Sequence, residues 1–300
     1  MDTASDEINL KEIFTILWKK KLTILSISTF FAVCSVLYAL SLANIYSSKV
    51  LLLPSNSQDA MSSKLGSLSS LGSLAGVSIP VDQTSKSKEG IERIKSFDFF
   101  ANFFIPNIQL ENLMAVKKWD AENNTIVYDN KIYKNDTQTW IGSSKYSEKN
   151  QPSLQEAYRV YKENITVNEN SRTSFISVSV NHKSPIIAQK WLNIIIEQIN
   201  ESMREADKML AKKSIDYLNE AQNTTSIQSI KEVTSRLLEN QMRTLMLASS
   251  TDSYVFKIID PPIVPEYKSS PSRSIIVIVS TFFGAFLSLI FIFIQQYRER

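Results

Sequence analysis

Residues able to do acid–base or metal chemistry are few along this chain. Among its 300 residues there is one histidine, His182, and one cysteine, Cys34. A zinc site or a shared proton relay needs further histidine or cysteine ligands nearby. We therefore interpret His182 as a solvated residue at the end of a strand, and we expect no metal site and no cofactor.

Carboxylates and phosphate-binding loops give no better catalytic candidate. Hydrolysis of a glycosidic bond needs two carboxylates across a cleft. The chain has carboxylates such as Asp98 and Glu111, but no spacing marks a pair. A phosphate loop of the G-x-x-x-x-G-K-[ST] type is absent from the sequence. We expect no catalytic residue and predict that the protein is not an enzyme.

The overall charge is small. Lysine and arginine exceed aspartate and glutamate by three, which gives no electrostatic case for a nucleic-acid partner. Cys34 lies within an apolar run, so disulfides and cysteine-bound metals are excluded from the central region.

Two uncharged apolar runs lie near the chain ends, at residues 22–42 and 274–294. Each has 21 residues. A helix of that length extends about 30 Å, the thickness of the hydrocarbon layer, so we predict two transmembrane helices. The first run is longer than the apolar part of an ordinary signal peptide, and no cleavage site clearly follows it. A retained anchor is therefore favoured over a cleaved signal.

Basic residues predict the orientation of these helices. Lys19, Lys20 and Lys21 precede the first run, and Arg298 and Arg300 follow the second. The positive-inside rule favours cytoplasmic termini. The tails, 1–21 and 295–300, leave no room there for a catalytic or signalling module, so a transmembrane receptor is disfavoured.

Strand patterns mark the central region, 43–273. Polar and apolar residues alternate at 46–53 and 174–181, and both segments are predicted to be half-buried strands. Shorter candidates lie at 126–133 and 253–260.

Two helices are predicted before the longest one. Apolar residues at helical spacing indicate a helix over 89–105, ended by Pro106. Ser153 and Glu156 have the spacing of a capping box and begin the second helix. The Ser/Gly/Leu-rich stretch at 55–88 is interpreted as a mobile loop, with an apolar flap against a neighbouring protomer or the membrane as the alternative.

A long amphipathic signal covers 184–248. Its apolar residues recur at spacings of four and three, and a break at 223–225 predicts a long helix out and a shorter helix back, an arm over 184–250. A narrow stripe on so long an arm needs a partner helix, either the returning arm or another protomer. The stripe residues expected to act in assembly are Leu192, Ile195, Ile199 and Met203.

Prolines dominate the segment before the second span, "DPPIVPEYKSSPSR" at 260–273. Proline restricts φ and removes a backbone donor, so this segment is predicted to be a semi-rigid extended strut. Pro271 and Arg273 place a stiff turn and a cation where the chain enters the bilayer. Taken alone, the segment also fits an ordinary juxtamembrane linker.

Together these patterns predict an α+β protein. Two transmembrane helices flank an α/β base, 43–183 with 251–260, which carries a long projecting helical hairpin. The second span has Gly284 with Ala285 and Ser288 nearby, a thin face of small residues.

Several segments in the same order resemble the Wzz-type polysaccharide co-polymerases, or O-antigen chain length determinants. The segments are "DEINLKEIFTILWKKK", "RIKSFDFFANFF", "PSLQEAY", "NHKSPIIAQKWLN", "YVFKIIDPPIVPEYKSSPSR" and the closing span with Gly284. The family's proline-rich segment maps onto Pro261, Pro262, Pro265, Ser270, Pro271 and Arg273.

The resemblance implies a bacterial inner-membrane protein with a periplasmic base and ring-shaped homo-oligomers. Its implied activity is to set the modal length of the O-antigen made by a Wzy-type polymerase, with the second span helping assembly or polymerase contact. Membrane lipid and polymerase are the implied partners, and contact with the growing polysaccharide is left open.

An adaptor for capsule, exopolysaccharide or enterobacterial common antigen is the alternative function. Such an adaptor would work with a separate cytoplasmic tyrosine kinase. Some relatives carry that kinase within the chain, but this sequence has neither the phosphate loop nor a terminal tyrosine cluster.

Overall fold

A computed structural model describes Trp18 and residues 20–55, 86–141, 151–250 and 253–299. These divide into two compact units, one formed by parts of 1–45 and 268–300 and the other by parts of Tyr46–Tyr267. The N-terminal tail up to residue 17 and nearly all of the Ser/Gly/Leu-rich stretch lie outside the described residues.

The first unit contains two long apolar helices, α1 (Lys21–Ser41) and α7 (Arg273–Glu299). Both are long and apolar enough to cross a membrane, with mean hydropathies of 2.0 for α1 and 2.7 for the residues Arg273–Gln295 of α7. The predicted fold class, mixed α and β with candidate transmembrane helices at both ends and a long helical region, is confirmed.

A four-stranded antiparallel sheet forms the framework of the second unit, in the order β6-β7-β1-β8. Its strands are β1 (Tyr46–Pro54), β6 (Ile165–Glu169), β7 (Ile176–His182) and β8 (Phe256–Asp260).

Alternation along β1 and β7 decides which face of the sheet is buried. Val50 lies opposite Val178, and Leu52 lies opposite Ile176. All four side chains are at most 2% exposed, as is Val180. In a strand, every second residue points to the same face, so the apolar members of both strands share one core.

The helices of this unit pack against that face and around it. They are α2 (Lys86–Lys95), α3 (Leu110–Met114), α4 (Leu154–Asn164), α5 (Pro185–Thr224) and α6 (Gln228–Ser250). The capping box at Ser153 and Glu156 begins α4 as its spacing predicts. Ser184 caps α5, and Pro185 takes the first turn, where its missing N–H costs no hydrogen bond.

The helix expected over 89–105 is wrong as a single element. Ser96 has extended backbone angles and its hydroxyl accepts a hydrogen bond from the Phe99 N–H, so α2 ends and a new helical turn begins. A π-helical turn follows at Phe100–Phe104, and Pro106 lies inside a 3-10 turn at Ile105–Asn107. The break directs Phe99, Phe100 and Phe104 into the core, where each is at most 2% exposed.

Two further predictions need correction. The strand candidate at 126–133 is divided between two small hairpins, formed by β2 (Val116–Asp120) with β3 (Thr125–Tyr128) and by β4 (Tyr133–Lys134) with β5 (Thr139–Trp140). The alternation expected over 253–260 also fails, because Tyr254, Val255 and Phe256 are all buried while Ile258 is 42% exposed. β8 lies at the edge of the sheet, and its residues after Phe256 are exposed.

Candidate functional site

The apolar stripe of α5 lies inside the chain's own core. Leu192, Ile195 and Ile199 are fully buried and Met203 is 3% exposed. They belong to one cluster with the sheet residues Val50, Leu52, Ile176, Val178 and Val180. For these four residues the main cover is therefore the sheet, while the returning helix α6, one of the two expected partners of the arm, packs along α5. Their role in assembly stays a prediction. Because they are buried, they can affect assembly only by keeping the unit folded.

His182 is buried rather than solvated, although it does end a strand as predicted. Its Nδ1 accepts a hydrogen bond from the Ser184 N–H at 2.9 Å, so its Nε2 carries the proton donated to the Asn112 carbonyl at 2.9 Å. The ring also packs edge-on against Trp191 at 4.7 Å between centroids. This neutral tautomer links the end of β7, the cap of α5 and α3.

Burial lowers the pKa of His182 from its ordinary value of 6.5, against the two backbone hydrogen bonds, and the Lys183 charge lowers it further. The unfolded chain therefore binds a proton more readily than the folded chain. Stability from this group is complete above pH 6.5 and is lost as pH falls below it towards the pKa of the folded state. We expect the free energy of unfolding in urea to fall between pH 7.5 and 5.5.

His182→Gln, which keeps an amide donor and acceptor without a titrating ring, is the control for this pH dependence. We expect its unfolding free energy to change less over the same interval. If the unfolding free energy fell equally with pH in both proteins, a role for His182 would be contradicted.

Asn200 is a buried polar residue that the sequence analysis missed. Its Oδ1 accepts hydrogen bonds from the N–H groups of Val255 and Phe256 at 2.8 and 2.9 Å. Its Nδ2 donates to the carbonyls of Ile196 and Phe256 at 3.1 and 3.2 Å. This side chain thus fixes the start of β8 to α5. The sequence did contain a signal for its burial: Asn200 lies four residues after Ile196 and three before Met203, on the apolar face of the helix.

A second cluster joins α2 to α5. Lys86 Nζ lies 2.5 Å from Asp207 Oδ2 and donates to the Tyr254 hydroxyl at 2.8 Å, and that hydroxyl donates to Asp207. Burial alone would lower the pKa of Lys86, but the hydrogen bonds to Asp207 and Tyr254 outweigh it and raise the pKa. The three side chains are hydrogen-bonded to one another, so we interpret the cluster as structural, joining α2 to α5.

The part of the proline-rich segment that lies in the second unit is outside helices and strands from Pro261 onward. Pro262 is buried, and its carbonyl accepts a hydrogen bond from Gln189 Nε2 at 3.0 Å. The carbonyl of Ile263 accepts one from the Ser48 hydroxyl at 2.8 Å. Pro261 is exposed and Pro265 is half-buried. These two side-chain bonds hold the segment in place.

Residues 268–273 of the segment belong to the first unit and lead into α7, which begins at Arg273. Ile45 and Ser270 form an antiparallel bridge, in which the Ile45 N–H donates to the Ser270 carbonyl at 2.9 Å. The Ser270–Pro271 peptide bond is cis. Arg273 Nη2 donates to Asn44 Oδ1 at 3.0 Å and to the Leu42 carbonyl at 3.4 Å. Ser270 and Arg273 therefore join the two chain segments that enter and leave the spans.

Gly284 lies where α7 packs closely against Phe31 of α1. A Cβ atom built on it would lie 2.7 Å from the Cβ of Phe31, too close for any side chain without a shift of one helix. Ser288 and Ile292 on α7 and Ser35 and Ala39 on α1 are buried in the same unit. The small-residue face thus lies against the other span of the same chain.

Enlarging Gly284 is expected to force the spans apart. Gly284→Leu should lower the stability of the helix pair by about 1–3 kcal/mol, the usual cost of overpacking, because the contacting atom sits next to the Phe31 backbone. Thermal unfolding in detergent measures the effect. Val279→Leu enlarges a side chain that is 61% exposed on the same helix and is the matched control. Equal melting of both variants would contradict the close contact.

The candidate carboxylates show no catalytic arrangement in the described part of the chain. Asp98 accepts a hydrogen bond from Asn102 Nδ2 at 2.8 Å, on the turn after Ser96, while Glu111 lies on α3. No group of three or more His, Cys, Asp or Glu side chains that could hold a metal occurs among the described residues.

These features define a class: a mixed α and β protein with two candidate transmembrane helices near its termini, which pack on one another in the first unit. A comparison with protein-family models finds a match to part of the chain. Residues 6–104 match the Wzz family model, described as "Chain length determinant protein". The predicted resemblance to this family is confirmed over that part of the chain.

Solved structures of polysaccharide co-polymerases are also similar to this chain. One, a full-length bacterial polysaccharide co-polymerase, has 11% identity and a TM-score of 0.41, covering 97% of this chain and 98% of that one. A fragment of WzzB, the polysaccharide co-polymerase from Salmonella Typhimurium, has 14% identity and a TM-score of 0.30, covering 76% of this chain and all of the fragment. A comparison with curated proteins gives no match.

Proposed function

We propose that this protein is an oligomeric scaffold of the bacterial inner membrane that regulates the modal chain length of lipopolysaccharide O-antigen. The match of residues 6–104 to the chain length determinant family carries the proposal. The two candidate spans support it, since helices that cross a membrane would hold the central unit beside a membrane-bound polymerase.

In this proposal the protein acts by shape. Identical copies form a ring with both termini in the cytoplasm and the Tyr46–Tyr267 unit in the periplasm, and the ring gathers a Wzy-type polymerase. The assembly biases when the growing polymer is released and makes or breaks no bond itself. The described hydrogen-bond clusters around Lys86, His182 and Asn200 support a structural role, because each is satisfied within the chain.

The residues proposed to act in assembly fall into three groups. The proline-rich segment with Arg273 sets the entry to the second span, because the Arg273 side chain donates to Asn44 Oδ1 and the Leu42 carbonyl. Gly284 sets the distance between the spans. The stripe of Leu192, Ile195, Ile199 and Met203 holds the central unit folded.

A deletion strain tests the proposal. We expect gel display of its surface polysaccharide to lose the modal band of chain lengths and to keep polymer of scattered length, with the band restored by the gene on a plasmid. Loss of all polymer would favour the alternative, an adaptor for synthesis or export. An unchanged pattern of O-antigen, capsule and common antigen would overturn both.

A further inference from the structure

An exposed apolar surface lies on the segment that follows β8. Ile263 is 67% exposed, Val264 is 41% exposed and Tyr267 is 84% exposed. We call these three residues the juxtamembrane apolar surface. Single exposed apolar residues are ordinary, but three large ones within five positions of a non-helical segment indicate a contact surface.

The exposure is a fixed property of the folded unit. The neighbouring Pro262 is buried, and its carbonyl is held by Gln189 of α5. The Ile263 carbonyl is held by the Ser48 hydroxyl of β1. With the backbone anchored on both sides of residue 263, the Ile263 side chain is directed away from the core.

Chain length places this surface near a bilayer. Tyr267 precedes the first residue of α7, Arg273, by six positions. Six residues extend at most about 21 Å, so Tyr267 stays within that reach of the span. β1 begins at Tyr46, five positions after α1 ends at Ser41. Ser48, two residues further on, contacts the Ile263 carbonyl, so the surface lies at the end of the unit to which both spans are tethered.

The residue types favour the interfacial layer of the bilayer over another ligand. Tyrosine is enriched at membrane interfaces, where its ring is buried among lipid and its hydroxyl stays hydrated. The adjoining charges, Asp260 and Glu266 against Lys257 and Lys268, cancel. Apolar contact must therefore supply the attraction, and anionic headgroups give no advantage.

We propose that Ile263, Val264 and Tyr267 insert into the interfacial layer of the lipid bilayer. The central unit then touches the membrane beside its two tethers. This contact goes beyond the regulation of chain length, because it concerns lipid and is independent of any polysaccharide.

Site-directed fluorescence tests the contact in the full chain. Cys34→Ser removes the single native thiol, and Ile263→Cys or Tyr267→Cys then carries a bimane label. The protein is placed in phosphatidylcholine liposomes with or without brominated acyl chains, and flotation after a carbonate wash verifies insertion of the spans. We expect blue-shifted emission at both positions and quenching by the brominated lipid. Addition of anionic lipid or salt should leave the quenching unchanged.

Tyr217→Cys is the matched control, since Tyr217 is 72% exposed on α5 and is expected to remain unquenched. Unquenched, red-shifted emission at 263 and 267 would overturn the proposal in favour of a water-exposed surface. Blue-shifted emission that persists in detergent and resists brominated lipid would overturn it in favour of contact with a second copy. Chain-length banding in the deletion strain is measured separately, so failure of one proposal leaves the other intact.

Discussion

Replacing Ile195 by aspartate is expected to unfold the Tyr46–Tyr267 unit, and Ile199→Asp should do the same. Both side chains are fully buried against the sheet. Either change removes a packed apolar group and buries a carboxylate, and such changes cost about 4 kcal/mol or more. A typical domain has only about 5–15 kcal/mol of stability. A loss of that size is a large share of such a stability and raises the unfolded fraction steeply, so the protein should be degraded rather than accumulate as folded single copies.

Limited proteolysis of the membrane-inserted protein measures this result. The matched control is Leu210→Asp, on the same helix, where the side chain is 63% exposed. We expect protease to digest the central unit of the Ile195 and Ile199 variants rapidly and to leave that of the Leu210 variant intact. A protease-resistant Ile195→Asp protein that had lost its oligomers would show instead that the stripe is an interface between copies.

The stripe shows how far periodicity reaches. Spacings of three and four predict a helix and identify its apolar face, and the observed α5 covers Pro185–Thr224. The spacing does not predict which element covers that face. The sheet that does so is built from β1 and β7, more than a hundred residues apart in sequence, and only the tertiary fold brings them together.

Local chemistry was predictable where neighbouring residues decide it. The capping box at Ser153 and Glu156 and the proline at the start of α5 are present as their spacing predicts. Ser96 was the exception, because a serine inside an apolar period can either continue a helix or cap a new one. Here its hydroxyl accepts the Phe99 N–H, and the aromatic residues turn into the core.

His182 shows the same limit at a polar residue. Its place at the end of a strand followed from the alternation before it. Its burial did not, because one covering group, Asn112, is 70 residues away in sequence, and the other, Trp191, meets the ring only once α5 packs back against the sheet. For the spans, residue types predicted the small face around Gly284, and the structure shows Phe31 of the same chain against it.

Asn200→Leu is expected to be the most damaging change among the buried polar residues. Leucine has a similar size but cannot accept the N–H groups of Val255 and Phe256, which are both buried. Each buried donor left without a partner costs about 1–3 kcal/mol, so the pair costs about 2–6 kcal/mol. The loss falls on β8, an edge strand paired only with β1 among the described strands, so β8 should separate before the rest of the sheet.

Hydrogen–deuterium exchange separates this local effect from general unfolding. We expect the amides of 253–260 to exchange much faster in Asn200→Leu, with smaller changes in β7. Asn219→Leu makes the same substitution at an exposed position of α5 and should leave exchange unchanged. Equal protection of 253–260 in both variants would mean that the Asn200 side chain does not hold β8. If instead β7 and β8 exchanged together, the sheet would open as one unit and the proposed order of separation would be wrong.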